Sequence, residues 1–140
     1  MNEISYDEFK QTADYSNFIT QNSKTGTLKV MAFTAQQAIP IENTDIKISK
    51  IIGENKVVFF EGLTNSSGII DNITLPTSPS DYNEETFSPP NSTSYDLVAT
   101  HINHKAIKDY TIGMFENTKI IQYVKLTPKI NMEVMNNGSN

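Results

Sequence analysis

From Thr27 onward the chain alternates apolar and polar positions with a period of two. In Thr27 to Thr34, Leu28, Val30 and Ala32 fall on one face, and Lys29, Met31 and Phe33 on the other. Asp45 to Lys50 repeats the pattern, with Ile46 and Ile48 sharing a face, and Pro40 with Glu42-Asn43-Thr44 supplies the turn between the two runs. Val57-Val58-Phe59-Phe60 is a continuous β-prone run, and Thr64-Asn65-Ser66-Ser67-Gly68 ends it with turn chemistry. Further strands are read at Ile69 to Leu75, Ser94 to Ile102, Tyr110 to Phe115 and Lys119 to Leu126, with stops at Pro76 and Pro128. Short strands spaced by turns predict an all-β, antiparallel β-sandwich of about seven strands over residues 27–128. Leu28, Val30, Ile46, Ile48, Leu97 and Leu126 are its expected inward residues.

The first 26 residues read differently. Ser5-Tyr6-Asp7-Glu8 fits a capping box, and Tyr6, Phe9 and Ala13 recur at helical spacing. So short a helix is unstable alone, so residues 1–26 are expected to form an arm that docks on this subunit or on a neighbour. At the other end, residues 129–140 form a tail in which Ile130, Met132 and Val134 alternate with polar residues, as in a strand seeking a sheet edge. Between Leu75 and Ser94 lies the longest irregular segment, with four of the six prolines and with Tyr82 and Phe87 among Asp81, Glu84 and Glu85.

Composition narrows the chemistry. Eleven lysines, no arginine and 16 acidic residues in 140 give a net charge of −5, which argues against nucleic acid as a partner. With no cysteine, disulfides, thiolate metal sites and thiol catalysis drop out. No stretch of about 18 apolar residues is present, so no membrane span is expected, and the N-terminus lacks the pattern of a Sec signal peptide. His101 and His104 are the only histidines; in an extended strand their spacing places them on opposite faces, which makes them poor co-ligands unless the chain turns between them. The Asp81-Glu84-Glu85 group lacks the ligand alternation of a calcium loop, and neither a nucleophile elbow nor a glycine-rich phosphate loop is found. The expectation is a protein without enzymatic activity, bound metal or cofactor.

Several of these segments together resemble the carboxypeptidase-regulatory-like, transthyretin-like β-sandwich domains. The resemblance runs from Gly26-Thr27-Leu28-Lys29-Val30 through Ala38-Ile39-Pro40-Ile41 and the Thr64 to Gly68 turn. It continues through Leu75-Pro76 and Tyr95-Asp96-Leu97 to Ile121–Pro128, which is similar to a Clostridium-type subgroup of spore-associated and cortex-lytic-enzyme sequences. Asn43-Thr44 replaces the family's Gly-Ala, and Asn103-His104-Lys105 its Gly-Tyr. The resemblance implies a non-catalytic accessory, binding or building module. Together with the lack of catalytic residues and the two terminal extensions, the expectation is a non-catalytic structural or assembly subunit, a homo-oligomer or filament at a spore surface or envelope. Its expected interface is Met31, Phe33, Ile130, Met132 and Val134. Two alternatives stay open: an accessory module that binds carbohydrate or peptidoglycan of the cell wall through Tyr82 and Phe87, and a prodomain-like or inhibitor domain of a cortex-lytic enzyme.

Overall fold

The computed structural model describes residues 1–36, 38–81, 85, 90–105 and 108–129. Two sheets face each other. The larger is built from β1 (Asn2–Ser5), β4 (Asn55–Leu63), β3 (Asp45–Ile52), β6 (Thr93–Thr100) and β8 (Lys108–Met114), in that spatial order. The smaller runs β5 (Ile69–Thr77), β2 (Lys24–Thr34), β9 (Lys119–Pro128) and β7 (His104–Lys105). Each sheet contributes alternate residues to one core, and Leu28, Val30, Ile46, Ile48, Leu97 and Leu126 are all fully buried there. The all-β sandwich is therefore as the alternation predicts. Two of its pairings are parallel: β1 with β4, and β2 with β9, where Thr27 faces Lys119 and Thr34 faces Leu126.

Gly68 shows why the turn before β5 is built as it is. Its φ of +73° is costly for a residue with a Cβ, and a Cβ there would run into the Ala32 carbonyl. That carbonyl accepts from the Ile41 amide, and the Gly68 carbonyl accepts from the Ala32 amide at 2.7 Å. Thr64 and Thr44 close the neighbouring loop: the Thr64 hydroxyl donates to the Ile41 carbonyl at 2.7 Å and accepts from the Thr44 amide at 2.9 Å. Both threonines are buried, and both have their polar atoms satisfied.

The N-terminal segment folds back on its own sandwich. Both halves of the expected capping box form: the Ser5 hydroxyl accepts from the Glu8 amide at 3.1 Å, and the Glu8 carboxylate accepts from the Ser5 amide at 3.4 Å. Helix α1 (Tyr6–Phe9) is a single turn, and a second helix, α2 (Asp14–Gln21), follows it. Phe9, Phe18 and Val57 form a small buried cluster roofed by Tyr6, Tyr15 and Phe59. The Phe59 ring, 5.0 Å from that of Tyr95, joins this cluster to the main core. A polar clasp reinforces the join: the buried Thr93 hydroxyl donates to the Asn22 side-chain oxygen at 2.6 Å and accepts from the Ser78 amide at 3.0 Å.

Candidate functional site

Two places in the described residues concentrate chemistry or exposed apolar surface. The first is the end of β6. Strand β6 stops at Thr100, and Ile102-Asn103 makes a tight turn in which the His104 amide donates to the His101 carbonyl at 3.1 Å. Strand β7 then pairs with β9, with His104 opposite Pro128. The turn reverses the geometry expected of an extended chain and brings the two imidazoles together. Their ring centroids lie 4.6 Å apart at 81°, with the two Nδ1 atoms 2.9 Å apart.

The hydrogen bonds around the pair fix the tautomers. The Asn103 amide can only donate, and it points at His101 Nδ1 at 3.1 Å, so that nitrogen carries a lone pair. The His101 proton therefore sits on Nε2 and reaches the Glu42 carbonyl at 3.0 Å. His104 must then hold its proton on Nδ1, donating to His101, and its Nε2 keeps a lone pair. Burial first, and then the nearness of His101, holds the His104 pKa below its ordinary value, so the ring is neutral near pH 7. One ring is oriented by another, which is itself anchored on a backbone carbonyl. That is the arrangement of a positioned base. Sequence reasoning missed it because the pairing depends on a turn that Ile102-Asn103 does not advertise. Among the described residues, no three His, Asp or Glu side chains gather to hold a metal ion.

The second place is the outer face of the smaller sheet. Lys29, Met31 and Phe33 of β2 point outward beside Ile121, Tyr123 and Lys125 of β9. The Phe33 and Tyr123 rings meet edge to face at 6.0 Å. Met31, Phe33, Ala38, Pro40, Ser67 and Tyr123 line a hollow of about 280 Å³. Sequence alternation singled out Met31 and Phe33; the β9 half of the patch was hidden because the parallel β2–β9 pairing is not written in either strand alone. Tyr82, Phe87, Ile130, Met132 and Val134 lie outside the described residues.

This architecture is a two-sheet β-sandwich with a short helical arm. No family model matches the chain, and no curated protein matches it. Among solved structures it is similar to Klebsiella pneumoniae 5-hydroxyisourate hydrolase at 11% identity, over 75% of this chain and 99% of that one, with a TM-score of 0.43. It is also similar to (S)-allantoin synthase at 9% identity, over 82% of this chain and 47% of that one, with a TM-score of 0.44. These likenesses are of fold alone. They still correct the expectation of a non-catalytic structural or assembly subunit: that expectation took the architecture as a mark of non-catalytic modules, and both of these similar proteins are enzymes.

Proposed function

We propose that the β6–β7 end of the sandwich is an acid–base site, at which His104 Nε2 takes a proton from water or from a small carbonyl-type substrate and later returns it. The observation that carries this reading is the Nδ1 to Nδ1 contact, fixed from behind by the Asn103 amide and the Glu42 carbonyl. In this reading His104 is the catalytic base and His101 the positioning residue. When His104 becomes an imidazolium, its Nδ1–H keeps its acceptor on His101, so the ring does not turn as the proton arrives. Among the described residues His104 makes no hydrogen bond to a serine or threonine hydroxyl, which favours direct activation of water over a covalent intermediate. To this we add, as a proposal that rests on the Ile121–Pro128 motif alone, a source among spore-associated proteins.

Two measurements test the site. Long-range proton–nitrogen correlation spectra of the imidazoles should give the Nδ1–H tautomer for His104 and the Nε2–H tautomer for His101. Hydrolysis of p-nitrophenyl acetate at pH 7 should exceed that by the same concentration of 4-methylimidazole by about 10²-fold, in the range of positioned general bases. His104→Gln should remove that excess, while His101→Gln should lower it and move the pH profile. A parent rate equal to that of 4-methylimidazole, or a His104→Gln variant as fast as the parent, refutes the proposal.

A further inference from the structure

The outer face of the smaller sheet differs in charge from the chain as a whole. The protein carries −5, yet this face presents Lys29, Lys119 and Lys125 with Asp71 as their acidic neighbour. Asp71 is engaged by Lys119 at 2.9 Å. Among the described residues Lys29 and Lys125 form no salt bridge, and they flank the row of Met31, Phe33, Ile121 and Tyr123. Ile121 and Tyr123 are about half exposed, at 46% and 50%. Lysine at both ends of an apolar row is a pattern of recognition, since solvation alone would not require aromatic side chains between the charges.

We infer that this face docks an extended acidic peptide segment of a partner protein, with one apolar side chain of that segment in the hollow lined by Met31, Phe33, Pro40 and Tyr123 and its carboxylates at Lys29 and Lys125. Size selects an extended peptide. From Lys29, level with Ile121, to Lys125 the row spans four residues along the strands, about 13 Å at about 3.3 Å per residue, which a peptide of five or six extended residues covers. The hollow of about 280 Å³ takes a single side chain and is small for a drug-sized ligand. Alternation selects it again. An extended peptide offers side chains to one face at every second position, matching a row in which lysines flank apolar residues. The rigid floor suits docking, because Met31 and Phe33 stand on β2 and Ile121 and Tyr123 on β9, the two central strands of the smaller sheet. Electrostatic complementarity sets the sign of the partner, and the edge-to-face ring pair is the apolar anchor.

The test titrates the intact protein with a hexapeptide bearing Glu, Leu and Glu at its first, third and fifth positions and Ser between them, and with the counterpart in which both Glu are Lys, while chemical shifts are followed residue by residue. The acidic peptide should bind and move the resonances of Met31, Phe33, Ile121 and Tyr123. Tyr123→Ala, at a half-exposed position that leaves the core intact, should weaken it about tenfold, as loss of an aromatic anchor does. The double variant Lys29→Glu with Lys125→Glu should prefer the lysine-bearing peptide. Equal binding of the two peptides by the parent, or no binding of the acidic one, overturns the inference. Binding of phosphatidylglycerol vesicles without binding of the acidic peptide also overturns it and assigns the face to a membrane surface.

Discussion

Replacing Phe9 by alanine should measure how firmly the N-terminal arm is joined to the sandwich. Phe9 is fully buried and packs against Phe18 at 5.6 Å and Tyr15 at 5.9 Å between ring centroids. Truncating a buried phenylalanine costs about 3–5 kcal/mol, from lost burial and from the cavity left behind. For a chain of this size about 1 kcal/mol shifts the melting temperature by about 4 °C, so the variant should melt about 12–20 °C below the parent. Such a cost is a large share of the roughly 5–15 kcal/mol that holds a domain of this kind together. The effect should also be local in hydrogen exchange. Strand β1 pairs in parallel with β4, Ile4 opposite Val57 and Ser5 opposite Val58. Loosening the cluster should expose amides at that β1–β4 pairing first, while those of the β2–β9 pairing keep their protection. Urea and thermal melts followed by circular dichroism, with exchange read by mass spectrometry, are sufficient assays. A melting temperature within about 2 °C of the parent, worth less than about 1 kcal/mol, refutes the docking of the arm described above.

Gly68→Ala should destabilise by about 1–3 kcal/mol, the cost of a strained backbone, because φ is +73° there and a Cβ meets the Ala32 carbonyl; a melt unchanged from the parent would contradict that geometry. Stability should also fall as pH drops from 7 through 6.5. The folded state holds the His104 pKa below its ordinary 6.5, so the unfolded state binds the proton first and the contribution, present above 6.5, is lost on acidification toward the folded value. The lowered Glu3 and Asp71 carboxyls act in the same direction only at lower pH, from ordinary values of 4.5 and 3.8. His104→Gln should flatten the slope between pH 7 and 6, and an unaltered slope in urea melts would refute the assignment.

The two-layer β fold was legible because alternation and burial are the same fact seen twice. Leu28, Val30, Ile46 and Ile48 had to share faces, and a strand displaced by one residue would have put all of them in water. The arm was half legible. Ser5 and Glu8 spell the cap, but α2 was missed, since Asp14 to Gln21 carries Tyr15 and Phe18 without a long apolar stripe. Least legible was what depends on partners distant in sequence. Nothing in Lys119 to Pro128 says that it pairs with β2, and nothing in His101-Ile102-Asn103-His104 says that the chain turns there. The histidine pair arises from that turn together with Glu42, which belongs to a loop that reading along β6 never meets.

The parallel ladder between β2 and β9 also sets an order of events during synthesis. When β2 leaves the ribosome its antiparallel partner β5 follows within a few dozen residues, but the neighbour on its other side arrives only with Lys119 to Leu126. Until then the smaller sheet is a two-stranded ribbon, with Leu28, Val30 and Ala32 waiting for Val124 and Leu126 to complete their cover. Closure between such distant segments costs loop entropy before it returns contacts, so folding should be slow relative to a simple hairpin meander of the same size. A nascent chain stalled before Lys119 would carry an open β2 edge, and in a crowded cell that interval is when it most needs a chaperone.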